Sequence, residues 1–96
     1  MAVDRTVVWS NEAMDQVDRI KDFIRLQWSE REVGVFLDLL FQFQTLVVQF
    51  PNGYQRSVRY PGCRRAVIHP NVSVVYKVGS RTIEVVTVYD NRSKGG

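Results

Sequence analysis

The sequence predicts an α+β domain, β-α-α-β-β-β, with a helical hairpin packed on one side of a small, mostly antiparallel sheet. Three observations carry this. Two helical patterns, of about 17 and 20 residues, follow each other with almost no linker between Glu12 and Phe50. Three β-branched runs follow between Cys63 and Tyr89. A shorter run of the same kind, Arg5 to Ser10, precedes the helices. With 96 residues and no internal repeat or linker, residues 1–96 read as a single domain. A chain this short buries only roughly 60–65% of its unfolded surface, so it has one modest core.

Thr6, Val7, Val8 and Trp9 are β-branched or aromatic and make the first strand. Ser10 or Asn11 then offers an N-cap. Ala13, Val17, Ile20, Ile24 and Trp28 draw one helical stripe, with Met14 and Phe23 at its margin. Ser29-Glu30-Arg31-Glu32 is a capping box that starts a second helix at once. Its stripe is Val33, Phe36, Leu37, Leu40, Phe43, Val47 and Phe50, and Pro51 ends it. So short a junction folds the helices into an antiparallel hairpin. Leu39, Phe41, Leu46 and Val48 fall outside the stripe. Either the helix is broadly buried or it leaves an apolar patch for a partner, and core burial is expected for most of the four.

Asn52-Gly53 signals a turn, and Tyr54 to Gly62 reads as a loop ending in Pro61-Gly62. Cys63 to His69 and Val72 to Val78 are strands around a His69-Pro70-Asn71 turn. Gly79-Ser80 reads as a two-residue hairpin loop, with Gly79 supplying the positive φ of a type II′ turn. Thr82 to Tyr89 has Ile83, Val85, Val86 and Val88 on both faces, which marks a central strand.

Composition excludes several classes. The apolar stretch from Val33 to Phe50 is interrupted by Asp38, Gln42, Gln44 and Gln49, so no membrane span is expected. MAVDRTVVWS does not resemble a secretory leader, and the single Cys63 permits no internal disulfide, so the cytoplasm is the expected compartment. One histidine and one cysteine argue against a structural zinc site, and no phosphate-loop or dinucleotide motif occurs. No cofactor is expected. His69, beside Pro70, reads as an exposed turn residue, and Cys63 as a small buried one.

Charge is unevenly placed. Residues 52–96 carry eight basic side chains against only Glu84 and Asp90, while the first half is net acidic. A basic sheet suits a polyanion or an acidic partner segment; a solvated basic face is the plainer reading. Arg64 and Arg65 are adjacent on a strand, so one points toward the helices and the other away. An arginine near the core needs a carboxylate or carbonyl partners, and Asp90 is the expected one, paired with Arg64 or Arg65. Either arginine could equally grip a phosphate or a partner's carboxylate.

The order of these features resembles the RelE/ParE superfamily, the toxins of type II toxin–antitoxin modules, along nearly the whole chain. Val8-Trp9-Ser10 with Ala13 resembles the family's opening strand and helix start. Trp28-Ser29-Glu30-Arg31-Glu32-Val33 followed by Phe36 resembles the helix junction. Arg64-Arg65-Ala66-Val67-Ile68, Val75-Tyr76-Lys77-Val78, Ile83-Glu84-Val85 and Asp90-Asn91-Arg92 follow its three-strand end. The junction and the final Asp-Asn-Arg are most like members termed plasmid stabilisation proteins.

The resemblance implies a growth-arresting toxin neutralised by a small cognate antitoxin, with a homodimer or a heterotetramer with antitoxin as expected assemblies and no membrane partner. RelE-type members cut mRNA in the ribosome; ParE-type members poison DNA gyrase. The ribonuclease site uses basic residues on the sheet, an arginine after the last strand and a C-terminal tyrosine or histidine. Arg92 matches that arginine. Counting Arg5 to Ser10 as the first strand, the basic positions of the second and third strands fall near Ala66, Ile68 and Ser73, and the chain ends Ser93-Lys94-Gly95-Gly96, so the catalytic set is incomplete. Arg64 resembles an arginine early in the second strand of ParE-like members.

The expectation is therefore a ParE-like, gyrase-directed or non-nucleolytic toxin. The alternatives are a ribosome-dependent mRNA endonuclease and a member that only binds its partner. If the chain is catalytic, Arg92, Arg65 and Arg64 are the residues to carry it. Arg64, Arg65, Lys77, Asp90 and Arg92 are the expected contacts to antitoxin or polyanion.

Overall fold

Ser10 ties the first helix to the sheet. Its Oγ accepts from the Ala13 N–H at 3.0 Å, capping the helix, and donates to the Val86 carbonyl at 2.7 Å. Its own N–H donates to the Val85 carbonyl at 3.0 Å. One serine thus fixes where strand ends, helix begins and both meet the last strand. The computed structural model describes residues 4–90. Its elements are β1 (Thr6–Trp9), α1 (Asn11–Gln27), α2 (Glu30–Gln49), β2 (Gln55–Arg56), β3 (Arg64–His69), β4 (Val72–Val78) and β5 (Thr82–Asp90).

The expected helices and main strands are all present. Ser29 caps α2, accepting from the Glu32 N–H at 3.4 Å. Arg25 spans the junction, donating to Asp22 at 3.0 Å and to Glu30. One strand is additional. Gln55 and Arg56, expected in a loop, pair antiparallel with Arg65 and Arg64. The sheet therefore has five strands in the order β1-β5-β4-β3-β2. β1 runs parallel to β5 and the other pairs are antiparallel, which leaves β5 interior as expected.

The two-faced apolar pattern of β5 has a local cause. Val75 pairs with Thr87 and Tyr76 with Val85, so Val86 is the extra residue of a β-bulge. The bulge shifts the alternation by one. Ile83, Val85 and Val88 all reach the helix side, where they are buried with Val72, Val74 and Tyr76.

Val33, Phe36, Leu40, Phe43 and Val47 of α2 and Ala13, Ile20 and Ile24 of α1 close this core. Three expected stripe residues are exposed instead: Trp28, Leu37 and Phe50. Trp28 and Phe50 are helix C-caps with non-helical backbones, which swing them off the stripe. Leu37 lies one step around the helix from Phe36, beyond the reach of a sheet that covers a single side. The surplus residues are not uniformly core either: Phe41 is 69% exposed and Leu46 47%, while Leu39 and Val48 are half-buried. By length and composition alone α2 is long and apolar enough to cross a membrane, contrary to the sequence expectation, yet its stripe packs on the sheet.

Three of the four expected turns are present, that at His69-Pro70-Asn71 between β3 and β4 among them, and the fourth differs. Phe50-Pro51-Asn52-Gly53 closes with Gly53 N–H to Phe50 C=O at 3.1 Å. Tyr60-Pro61-Gly62-Cys63 closes with Cys63 N–H to Tyr60 C=O at 3.1 Å, and Gly62 has φ 81°. That is a type II turn, with proline second and glycine third. Gly79, by contrast, has no positive φ, so the β4–β5 connection is not a type II′ turn. Its N–H donates to Thr82 C=O at 2.8 Å, making Gly79, Ser80 and Arg81 a three-residue loop. A Cβ there would sit tightly against Thr82, at 3.1 Å from Oγ1 and 3.3 Å from the carbonyl oxygen, so a larger residue asks Thr82 to give by a few tenths of an ångström.

Candidate functional site: the open face of the sheet

Strand alternation sorts the basic residues. Arg64 stands opposite Tyr76 and so faces the helices; Arg65 stands opposite Val75 and faces away. The split expected of this pair is real, but it separates residues that the sequence grouped in one cluster. Arg64 donates from Nη1 to the Tyr54 carbonyl at 2.7 Å. Arg65 donates from Nε to Ser73 Oγ at 3.0 Å.

Neither arginine has the expected Asp90 as its partner. Asp90 pairs with Val72, three to four residues along β4 from the partners of Arg65 and Arg64 and one strand further on. At about 3.3 Å per residue and 4.8 Å per strand, the backbones lie roughly 14–16 Å apart. The two side chains together do not span that. Arg92, the expected main site residue, lies outside the described residues.

The open face carries Arg65 on β3, Ser73 and Lys77 on β4, and Glu84, Thr87 and Tyr89 on β5, by register. Lys77 is exposed and directly opposite Glu84. Among the described residues no helix packs across this side, yet Ser73, Val75 and Thr87 are buried. The segment between β2 and β3 explains it. It is knit by Ser57 N–H to Cys63 C=O at 2.8 Å and Tyr60 N–H to Ser57 Oγ at 2.9 Å. It then reaches across two strands to Tyr89, whose ring centroid is 6.5 Å from that of Tyr60. The Arg59 guanidinium carbon sits 5.5 Å from the Tyr60 ring and 5.6 Å from the Tyr89 ring, a cation–π contact to both.

Arg59, Arg65 and Tyr89 border a concave region of about 460 Å³. Chemically it offers guanidiniums for an anion and an aromatic face for stacking. The sequence pointed to Arg65 and Lys77 but missed Arg59 and Tyr60. The Pro61-Gly62 turn was the available signal, but it shows only that the segment reverses, not where it lands. The positions near Ala66 and Ile68 where ribonuclease members carry basic residues prove to face the helices. Arg65 and Val67 are the open-face positions of β3, so one of the two is basic.

His69 is half-buried rather than exposed, and its Nδ1 accepts from the Asn71 N–H at 3.2 Å. That bond assigns the neutral ring's proton to Nε2. Among the described residues no group of His, Cys, Asp and Glu comes together that could hold a metal ion.

A second surface lies on the helices. Trp9, Met14, Val17 and Leu40 line a shallow groove of about 280 Å³. Trp9 is anchored by Nε1 donating to Gln44 Oε1 at 3.1 Å. Leu37 and Phe41, one turn apart on α2, add exposed apolar area.

The fold is shared with solved toxins. The chain is similar to a protein of the chromosomal ParDE toxin–antitoxin system from P. aeruginosa, at 16% identity and TM-score 0.79, with 91% of this chain and 96% of that one covered. It is similar to a chain of the E. coli DinJ–YafQ complex, at 13% identity and TM-score 0.63, covering 98% and 100%. A chain of the RelBE2 complex from Mycobacterium tuberculosis follows at 14% identity and TM-score 0.61, covering 92% and 99%. No curated protein sequence matches. The family described as ParE toxin of type II toxin–antitoxin system, parDE, matches residues 7–94, and the chain belongs to that family.

Proposed function

We propose that the chain is a growth-inhibiting toxin that a small antitoxin neutralises, and that its target is DNA gyrase rather than mRNA. The observation that carries the choice of target is Ser73. It occupies the β4 position where a ribonuclease member holds an arginine, and it is fully buried under the Arg65 guanidinium. A buried hydroxyl engaged there stabilises no developing charge on a phosphate. The remaining open-face cations, Arg59, Arg65 and Lys77, suit contact with an acidic surface.

The antitoxin reading rests on the groove at Met14, Val17 and Leu40 and on the exposed Leu37 and Phe41. An amphipathic segment lays apolar side chains into such a groove. Its acidic residues would then meet the basic open face, and the cytoplasm is where such a pair would act. Phe41→Asp weakens the antitoxin complex without unfolding the chain; unchanged affinity would remove Phe41 from the interface.

Induced expression with two readouts tests the target. A DNA-damage response with intact mRNA supports gyrase poisoning. Fragmented mRNA with intact DNA supports the second reading, an mRNA endonuclease, for which the Arg59–Tyr89 stack beside Arg65 supplies a place for a base to rest. No growth defect leaves a partner-binding module. In either toxic case Arg65→Ala reduces toxicity, as does Arg92→Ala if the residue after β5 takes part.

A further inference from the structure

The β2–β3 pair carries a second electrostatic arrangement, centred on the helix-side Arg64 and meeting the open face at the sheet edge, where Arg56 and Ser57 border both. Arg56 and Arg64 stand directly opposite each other in register. Like charges so placed repel. Arg64 is half-buried and held by its bond to the Tyr54 carbonyl. Among the described residues no hydrogen bond or ion pair engages the Arg56 side chain. The two acidic residues after Pro51 sit elsewhere: Glu84 opposite Lys77 on the open face, Asp90 opposite Val72 toward the far end of β4.

Between the two arginines opens a cleft of about 350 Å³, also lined by Asn52, Ser57, Cys63 and Val78. It contains no carboxylate. Ser57 Oγ accepts from the Tyr60 N–H at 2.9 Å, so its own O–H remains to donate. The Asn52 amide adds two further N–H donors. The lining thus presents two cations and two neutral donor groups.

We propose that Arg56 and Arg64, with Asn52 and Ser57, form a binding site for an esterified phosphate group. A carboxylate is satisfied by one guanidinium fork. A phosphate ester presents up to three terminal oxygens in different directions and up to two negative charges, which matches two forks on neighbouring strands plus an amide and a hydroxyl. Bound phosphate also removes the repulsion between the arginines. The cleft is larger than the bare anion, and Cys63 and Val78 give it a less polar wall against which the esterified sugar can rest. Arg64 lies on the side of the sheet opposite Arg65, while Arg56 and Ser57, at the sheet edge, border both faces; the site does not depend on the target or antitoxin proposed above.

The test is an NMR titration of the isotope-labelled full chain with inorganic phosphate, at ionic strength held constant with chloride. Saturable amide shifts confined to Asn52, Arg56, Ser57, Cys63 and Arg64 are expected. Arg56→Gln, whose side chain holds nothing in the fold, weakens the binding by about tenfold or more. Arg31→Gln, the same loss of charge at the start of α2, changes it by less than about twofold. In chloride alone Arg56→Gln melts at the same or a higher temperature than the parent, and phosphate raises the melting temperature of the parent only. Adenosine 5′-monophosphate and a short single-stranded oligonucleotide then separate the sources. Tighter binding of the first assigns a free nucleotide; tighter, salt-sensitive binding of the second assigns a nucleic-acid backbone. Shifts that never saturate, an equal effect of Arg31→Gln, equal shifts with acetate, or no gain from either ester would each overturn the proposal.

Discussion

Tyr76→Phe gives two effects of opposite sign, one of which grows with pH. Tyr76 is fully buried in the middle of β4, and its hydroxyl donates to the Pro51 carbonyl at 2.6 Å, which fixes the end of α2 against the sheet. Its ring packs at 5.7 Å from Phe43 and 6.0 Å from Tyr54. Phenylalanine keeps those ring contacts and leaves the carbonyl without its donor. The cost near neutral pH is about 1–2 kcal/mol. Burial, opposed by Arg64 and reinforced by Tyr54, pushes the Tyr76 phenol from its ordinary 10.0 up to about 12. The folded state therefore holds this proton more tightly than the unfolded chain. The stability it contributes is complete below about pH 10 and is lost as pH rises through 12. At about pH 11 the unfolded phenol is mostly ionised and the folded one mostly protonated, so the parent has lost on the order of 1 kcal/mol. The variant has no such group. The stability gap between them, read from urea unfolding, is thus about 1–2 kcal/mol near pH 8 and close to zero near pH 11. A gap that stays constant from about pH 8 to 11 refutes the linkage, and a gap under about 0.3 kcal/mol near pH 8 refutes the hydrogen bond.

Three further substitutions probe the frame. Ser10→Ala removes a cap and a bond to β5 together and costs about 1–3 kcal/mol by chemical denaturation, whereas Ser10→Thr retains most of it. Gly62→Ala places a Cβ in open space at a φ of 81°, so its cost of about 1–2 kcal/mol is backbone strain alone. Phe43→Ala empties the contact between α2 and the Tyr54–Tyr76 pair; it costs about 3–5 kcal/mol, enough to lower the folded fraction visibly by circular dichroism at 37 °C.

The elements of this fold were legible because local chemistry decides them. Ser10 and Ser29 start helices wherever they precede such periodic runs, and a Tyr-Pro-Gly-Cys sequence turns in one way. Gly79 shows the limit. A glycine between two strands suggests a positive φ, but here φ is not positive and what crowds the position is Thr82, a neighbour whose approach depends on the loop length. The exposed Phe41 and Leu37 could not be told from core residues, because the width of the buried stripe is set by what lies opposite the helix.

By itself, the sequence determined the helical hairpin, the main strands, the interior place of β5 and the opposed directions of Arg64 and Arg65. Each follows from periods of 3.6 or 2 and from capping groups within reach of one or two turns. Tertiary structure alone decided which basic residues share a surface. The bulge at Val86 resets the faces of β5, the β3–β4 register carries Asp90 out of reach of both arginines, and a folded-back segment brings Arg59 and Tyr60 onto Tyr89. Those are facts of pairing between residues far apart in the chain, and no local preference encodes them.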